Sequence, residues 1–318
     1  MRRAWHAWVA LWDRREAPTA LALARIFLGL AMFLDLMHLA WLGMVTPLFA
    51  RPPDGFAATY DGWAGALLGT GPEAAVTLWL VATVAAACVA LGCATRVACV
   101  VFVVVTAQLG YIAPGADRGI HMIARVSISI LALSSCHAQW SVDAWIRARR
   151  GRPFPREVPA WPRYLLLLQL VWIYFSAGHN KAADEWGPAG SFMALPNALT
   201  DPHFARFDPA WVVVVLPALR LGTIATMAFE LSAPLYVLWL YYAETAKRGG
   251  RLRWLCNRLR LRWVWIGLGI SFHLGIAVFL RIGVFPWGML ALYPVLLRPA
   301  ELARWSPAGA RSSDTSSE

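Results

Sequence analysis

The feature that most constrains this chain is a series of long apolar runs. An α-helix needs roughly 20 apolar residues to cross the hydrocarbon core of a bilayer, and each run approaches that length. The chain is 59% hydrophobic and only 15% charged, which excludes an ordinary soluble domain because so much apolar surface could not be buried. We therefore predict an all-α protein, a polytopic transmembrane helix bundle with about eight spans. The predicted spans are residues 19–42, 73–93, 96–114, 119–138, 163–181, 221–243, 263–281 and 283–299.

The basic residues determine the predicted orientation of these spans. Lys and Arg are concentrated at residues 2–15, 96, 147–156, 247–262 and 304–311, which all fall on one side of the membrane if the chain crosses about eight times. Because loops rich in Lys and Arg stay in the cytoplasm, both termini are predicted to be cytoplasmic. The other loops, predicted to lie outside, are poor in Lys and Arg and comprise residues 43–72, 115–118 and 182–209.

The formal net charge of +11 does not indicate a nucleic-acid partner. The basic residues occur in short groups between apolar runs and not on one amphipathic face, so no nucleic-acid binding is expected. The predicted partner is the lipid bilayer, and the predicted location is the cell (inner) membrane as a multi-pass protein.

This pattern divides the chain into three regions. Residues 1–18 form a cytoplasmic segment, residues 19–299 the bundle, and residues 300–318 a cytoplasmic tail whose Ser, Ala and Gly content predicts disorder. Residues 210–219 are too few to cross the bilayer, and we interpret them as an interfacial or re-entrant piece on the outside. No internal repeat is visible, which disfavours a duplicated transporter architecture.

Polar residues at membrane depth are the candidates for function, because they are costly there unless they face a partner or a cavity. On the first span, Arg25 lies near the cytoplasmic end, and we interpret it as a side chain that snorkels to the interface. Asp35 and His38 are three residues apart and share one face of the same span. A satisfied interhelical pair and a role in a site remain equally open for these two residues.

Two polar stripes run along later spans. His121, Arg125 and Ser129 are spaced at i, i+4 and i+8, so they form one stripe on the fourth span. The fifth span carries a second stripe and ends beside an acidic outer loop. Both stripes open toward the same outer leaflet, which indicates a bundle interior or a water-filled cleft. The second stripe consists of Gln169, Ser176 and Asn180.

Lysine is rare in this chain. Lys181 and Lys247 are its only lysines, and the remaining basic residues are arginines. Lys247 lies in a basic cytoplasmic loop, where a lysine and an arginine would be equivalent. Lys181 ends the fifth span on the predicted outer side. Burial can remove the proton of a lysine but not that of an arginine, so Lys181 is a candidate base. The alternative is a lysine that anchors a helix end at the membrane interface.

Two segments carry a family resemblance. Residues 174–181, Tyr-Phe-Ser-Ala-Gly-His-Asn-Lys, followed by Trp186, resemble the Tyr-Phe-x-Ala-Gly-x-x-Lys motif of the vitamin K-dependent gamma-carboxylase family and its bacterial HTTM-domain relatives. The stretch from His121 to the Trp-Ser-Val-Asp at 140–143 resembles the histidine-containing span of the same family. Weaker similarities lie at residues 25–29, Glu230, Pro234, His273 and residues 285–291.

The resemblance implies a chemistry and a set of residues. In the family, a lysine deprotonates a reduced quinone, whose oxygenation yields a strong base, and a histidine supports the carbanion to which CO2 adds. By resemblance, Lys181 and His121 would take these catalytic roles. The implied cofactors are a reduced quinone of the vitamin K or menaquinone type, O2 and CO2, and the implied activity is that of a quinol-dependent carboxylase, a carbon–carbon lyase. The residues expected to line or support the site are Arg125, Tyr174, His179, Asn180, Trp186, Glu230 and His273.

Two further expectations concern partners and metals. The animal members of the family carry a large extramembrane domain that holds the substrate, and we expect this chain to lack it and to act on a small secreted peptide or a lipid. The alternative function is a non-catalytic membrane factor for maturation of, or immunity to, a secreted antimicrobial peptide. No metal is expected, since the 7 histidines lack tight ligand spacing and the 5 cysteines show no Cys-x-x-Cys motif.

Overall fold

The computed structural model describes residues 5, 9–10, 12–57 and 62–303. The protein is mostly helical, at 71%, as the apolar runs predict. The chain forms two compact units. Unit 1 comprises Met1–Leu166 together with Ala291–Glu318, and unit 2 comprises Leu167–Leu290. The disorder predicted for the tail concerns residues that lie outside the described part of the chain from 304 onward, and just before them Pro299–Leu302 is a short helix.

Unit 1 is built from long helices joined by short connections. Its helix α4 shows why the boundaries fall where they do, since Pro72 opens the first turn and Gly92 closes the last with a left-handed φ of 69°. A two-stranded antiparallel sheet pairs Arg15 with Pro159 and Glu16 with Val158. The elements are β1 Arg15–Glu16, α1 Thr19–Trp41, α2 Val45–Phe49, α3 Trp63–Leu68, α4 Pro72–Leu91, α5 Thr95–Ile112, α6 Gly119–Leu133, α7 Val142–Arg149 and β2 Val158–Pro159.

Small side chains let the long helices of unit 1 approach closely. The buried residues of α1 and α4 include many alanines, among them Ala24 and Ala86, which are fully covered. At Gly29 on α1, an added Cβ would lie only 2.6 Å from the backbone nitrogen of Ala90. Small residues at such crossings permit close backbone packing of the kind that associates membrane helices.

Arg25 does not snorkel to the interface, and that prediction is wrong. Its side chain is fully buried and donates to the carbonyl oxygens of Val89 at 2.7 Å, Ala90 at 2.6 Å, Trp140 at 2.6 Å and Cys136 at 3.3 Å. The last carbonyls of a helix have no partner within the helix, and the several donors of a guanidinium can satisfy them. Arg25 therefore joins the end of α4 to the segment that precedes α7.

A second buried arginine joins the ends of unit 1. Arg163 donates to both carboxylate oxygens of Glu16, at 2.6 and 2.9 Å, and to the carbonyl oxygen of Val295 at 3.2 Å. The bidentate geometry compensates for the burial of both charges. This ion pair connects β1 to the first turn of α8, Trp161–His179.

Unit 2 contains the rest of α8 and a group of shorter helices. Its core is aromatic, because the ring of Phe229 lies 4.9 Å from that of Tyr174 and 4.7 Å from that of Trp265. Offset and edge-on contacts of this kind stabilise aromatic pairs beyond simple burial. The further elements are α9 Ala194–Thr200, α10 Ala210–Val214, α11 Leu216–Leu231, α12 Ala233–Glu244, α13 Arg251–Arg258, α14 Leu261–Phe279 and α15 Phe285–Leu290 in unit 2, followed by α16 Pro299–Leu302 in unit 1.

Within the described residues, 4 helices are long and apolar enough to cross a membrane, and the number rises to 5 if one bent pair is a single span. The bent pair is α11 and α12, which meet at an angle of 60°. The count of about eight spans and the cytoplasmic termini stay predictions. The candidates are Thr19–Trp41, Pro72–Leu91, Thr95–Ile112 and Arg251–Phe279.

Several predicted spans differ from the helices that form. The fourth ends early, at Leu133. The fifth is the 19-residue helix α8, which Arg163, Gln169 and a polar last turn make less apolar than the candidate spans. The eighth is interrupted: α15 ends at Leu290 and a separate 3-10 turn follows at Tyr293–Leu296, because proline cannot continue a regular helix. Of residues 210–219, the first five form α10 and the last four begin α11.

Candidate functional site

The end of α8 in unit 2 brings together three of the predicted site residues, which are Lys181, Glu230 and Trp186. Lys181 lies just beyond the helix and donates from Nζ to a carboxylate oxygen of Glu230 on α11. Gly178 makes this contact geometrically accessible, since a Cβ at that position would lie 2.9 Å from the Cβ of Glu230. A larger residue would push α11 away from the lysine. The glycine of the motif is therefore explained by close packing of the two helices.

The surroundings of this ion pair are aromatic and largely closed. The Lys181 side chain is 17% exposed and that of Glu230 only 4%. Lys181 Nζ also lies 4.7 Å from the centre of the Trp186 ring, within range of a cation–π contact. Trp186 belongs to a 3-10 turn, Asp184–Trp186, in the loop that follows the helix. We call Lys181 and Glu230 the Lys181 pair.

The loop above the Lys181 pair is tied to α11 and to itself. The backbone N–H of Leu195 donates to Oγ1 of Thr223 on α11 at 3.1 Å. Asn197 donates from Nδ2 to the carboxylate of Glu185 at 2.9 Å. Because Leu195 and Asn197 belong to α9, these bonds connect α9 to α11 and to the turn that contains Trp186.

A second polar contact involves Tyr174 of α8, which lies about two turns before Lys181. The hydroxyl of Tyr174 and Nε2 of His273 on α14 are 2.6 Å apart, and both side chains are buried. His273 also contacts the ring of Phe285, with 5.8 Å between the ring centres. Tyr174 and His273 thus form a hydrogen bond inside the aromatic core. Tyr174 lies on α8, the helix that leads to Lys181, whereas His273 lies on α14, and their support of the site stays a prediction.

His179 and Asn180 turn back onto their own helix. The ring of His179 stacks on Phe175 with 5.9 Å between centres. Asn180 donates from Nδ2 to the backbone oxygen of Ser176 at 2.8 Å and also reaches its Oγ at 3.1 Å. Both side chains are exposed. Asn180 therefore caps the end of α8, whereas His179 packs against a ring of its own helix.

His121 is at the centre of a charged cluster in unit 1. Its Nε2 lies 2.9 Å from a carboxylate oxygen of Asp35 on α1. Its Nδ1 is 3.2 Å from the backbone N–H of Arg118, so Nδ1 accepts that bond and Nε2 is assigned the proton that it donates to Asp35. Arg118 in turn donates to the other oxygen of Asp35 at 2.6 Å. Both ring nitrogens of His121 are thereby occupied.

Arg125 completes this cluster one turn along α6. Its guanidinium donates to both carboxylate oxygens of Asp117, at 2.8 and 2.7 Å. Burial raises the pKa of Asp117, but the hydrogen bonds and charge of Arg125 outweigh it and hold the pKa below its usual range. Nδ1 of His121 lies 3.5 Å from Asp117 as well. We call Asp35, Asp117, Arg118, His121 and Arg125 the His121 cluster.

Sequence reasoning identified only part of this cluster. The stripe of His121 and Arg125 predicted contacts with a polar interior, but Asp117 and Arg118 were treated as loop residues. The spacing of Asp117 and His121, which is i and i+4, was the available signal. Asp35 finds its partners on other elements, whereas the ring of His38 faces Trp41 at 5.5 Å. The two residues of that predicted shared face therefore have different surroundings.

The Trp-Ser-Val-Asp segment has a structural explanation. Ser141 caps α7 by accepting a bond from the backbone N–H of Ala144 at 2.8 Å. Asp143 accepts bonds from the backbone N–H groups of Ala94 and Thr95, both at 2.9 Å, and so caps the start of α5. The carbonyl of Trp140 accepts from Arg25. Through these hydrogen bonds, the segment connects α1, α5 and α7 of unit 1.

Metal binding finds no support in the part of the chain that the structure describes. No group of three or more His, Cys, Asp or Glu residues there is arranged to hold an ion. The five cysteines are free.

The model of the HTTM domain family matches residues 13–248, which include both the His121 cluster and the Lys181 pair. No solved structure matches the chain.

Proposed function

Since this chain belongs to the HTTM domain family, a membrane domain of the gamma-carboxylase family, we propose that it is a quinol- and O2-dependent carboxylase-type enzyme of the cell (inner) membrane. The observation that carries the proposal is the Lys181 pair. An amine and a carboxylate in contact, largely closed from water and beside an indole, are suited to moving a proton.

The pair supplies a route to a neutral amine. As an ammonium and a carboxylate, Lys181 and Glu230 are jointly neutral, and they remain so if the proton shifts from Nζ to the carboxylate oxygen. This shift costs less in a closed site than ionising one isolated group, because no net charge is created there. The amine of Lys181 can then accept a proton from a substrate hydroxyl, with Glu230 holding the proton it has received.

The residues around Lys181 fit a reduced quinone. Lys181 Nζ lies over the Trp186 ring, so a planar quinol would displace the amine from that apolar face and present a ring hydroxyl whose proton the amine accepts. A bound quinol would supply the oxygen-derived strong base that removes a proton from the acceptor before CO2 adds. The acceptor in this proposal is a small secreted peptide.

His121 keeps in this proposal the role of supporting negative charge on the acceptor. Its support is the composition of the His121 cluster, in which the Arg118 side chain is 42% exposed and accessible to a substrate. Asp35 would fix the imidazole in the tautomer that carries the proton on Nε2.

The test is the oxygen-dependent oxidation of reduced menaquinone and reduced vitamin K by the purified chain. Lys181→Arg and Lys181→Ala are both expected to lower turnover by at least about a hundredfold, since an arginine cannot serve as a base and an alanine has no amine. Lys247→Arg is the matched control, because it makes the same change in the other lysine of the chain. It should retain full turnover.

Two results would refute the proposal. One is the absence of turnover with either quinol in wild-type protein that is shown to be folded. The other is undiminished turnover in Lys181→Arg. If the wild-type protein oxidises either quinol, the acceptor is sought by adding candidate peptides and labelled CO2 to that active preparation.

The alternative, a non-catalytic factor for maturation of or immunity to a secreted peptide, is favoured by one observation. Lys181 and Glu230 satisfy each other, as an ion pair with a purely structural role would. In that case, Lys181→Arg retains the charge, and cells carrying it should keep peptide maturation or protection while the protein shows no quinol oxidation.

A further inference from the structure

The basic segment between α12 and α14 in unit 2 forms a concave surface that has no role in the proposed function. Residues 247–262 contain seven Lys and Arg residues and no Asp or Glu. A cavity of about 620 Å3 opens there and is walled by Arg248, Arg251, Arg253 and Arg258 together with Trp254. This concavity is open on one side, as a site for a headgroup at the membrane surface would be.

The position of this cavity relative to the bilayer follows from helix length. The candidate span Arg251–Phe279 has 29 residues, and at about 1.5 Å per residue it would be about 43 Å long, more than the roughly 30 Å of the hydrocarbon core. It is broken at Arg260, which has a left-handed φ of 51°. The 19 residues of α14 are about the length that the core requires, so α13 lies in the headgroup region next to it.

One face of α13 is fixed to the protein. Cys256 is buried, and Asn257 donates from Nδ2 to the carbonyl oxygen of Tyr242 at 2.9 Å. Arg253 donates to the carbonyl oxygens of Arg248 and Gly249, both at 2.6 Å, and so shapes the turn that forms the cavity wall.

The other face of α13 combines exposed apolar side chains with cations. Trp254 is 60% exposed, and the Arg258 guanidinium lies over its ring, 5.1 Å from the ring centre. Leu252 and Leu255 are also exposed. Tryptophan, leucine and arginine on one short helix are the combination expected where acyl chains meet charged headgroups.

We propose that this cavity, the α13 cavity, binds the headgroup of an anionic phospholipid. The guanidinium groups of Arg251 and Arg258 contact the phosphate, and the exposed faces of Trp254 and Leu255 contact the upper acyl chains. A free phosphate would match only the charge and would leave the apolar face uncovered. A zwitterionic lipid would match the apolar face and bring a cation next to the arginines.

The test uses the full chain in detergent, with dioleoyl phosphatidylglycerol or dioleoyl phosphatidylcholine added, and counts retained lipids by native mass spectrometry. Wild type should retain phosphatidylglycerol selectively. Arg251→Gln with Arg258→Gln should weaken this retention about tenfold to thirtyfold at low salt, from two lost basic contacts. Arg251→Lys with Arg258→Lys should keep most of the retention, because the charges remain.

The matched control is Arg147→Gln with Arg149→Gln on α7, which removes the same charge from another exposed basic helix. It should retain phosphatidylglycerol as wild type does. Equal losses in the two glutamine variants, equal retention of both lipids by wild type, or displacement of phosphatidylglycerol by millimolar inorganic phosphate would each overturn the proposal. Thermal unfolding of every variant in the same detergent verifies that the chain is folded.

Discussion

The His121 cluster and the Lys181 pair hold polar groups in two different ways. In the cluster, two arginines, two aspartates and one histidine share their contacts, and Arg118 and His121 both reach Asp35. In the pair, one lysine contacts one glutamate. The loss of Arg118 leaves Asp35 with His121 as a partner, whereas the loss of either member of the pair leaves a charge in a closed environment.

This difference bears on which group can react. His121 has both ring nitrogens engaged, so it must break a contact before it can exchange a proton. Lys181 and Glu230 can exchange a proton between themselves without a change in net charge. The comparison therefore favours the pair as the place of proton transfer and the cluster as a fixed electrostatic environment.

The largest expected effect tests the isolation of the pair. Glu230→Leu should lower the free energy of unfolding by about 3 kcal/mol, because it leaves the Lys181 ammonium without its counter-charge. Lys181→Met should cost a similar amount. The double variant should cost clearly less than the sum of the two, since it removes both charges. Unfolding by a denaturing detergent, followed by tryptophan fluorescence, measures all three, and additive losses would show that the two groups are not coupled.

A smaller effect is expected in the cluster. Asp35→Asn should cost about 1 kcal/mol, because Arg118 is partly solvated and the amide oxygen of the asparagine can still accept a hydrogen bond from it. His38→Asn, on the same helix, is the control and should change less, since its ring contacts only Trp41 among the described aromatic partners. A loss for Asp35→Asn as large as that for Glu230→Leu would contradict the shared-contact interpretation.

The smallest expected effect concerns pH. The pKa of Asp117 is lower in the folded protein than in the unfolded chain, where it is about 3.9, so its contribution to stability is present above that pH. It is lost as the pH falls through the lower folded value. Asp117→Asn should therefore cost about 1 kcal/mol or less at pH 6 and still less at pH 3.

Melting temperatures of wild type and Asp117→Asn at pH 6 and pH 3 measure this difference. If the difference in melting temperature between the two proteins were larger at pH 3 than at pH 6, Asp117 would not be stabilised as the carboxylate. Asp54→Asn is the control, because it makes the same change at an exposed residue outside the cluster, and its melting temperature should follow that of the wild type at both pH values.

The sequence named the candidate residues of the site, but it did not predict which of them are in contact. Residues 174–181 pointed to Lys181, and Glu230 was included only through a weaker similarity. That these two meet depends on Gly178, whose missing side chain lets α11 approach. No local rule relates a glycine at one position to a carboxylate some fifty residues later, so the pairing could not be predicted from spacing.

Arg25 likewise shows that the sequence did not predict the contacts of a buried side chain. Its place near a helix end suggested an interfacial side chain, but the carbonyls of α4 and the turn at Trp140 surround it completely. By itself, the sequence determined the helical class, the membrane setting and the family, because hydrophobicity and motif spacing are local properties of the chain. Only the tertiary structure decided which polar groups meet, since hydrogen bonds and ion pairs join residues that are distant in sequence and depend on ångström-scale packing.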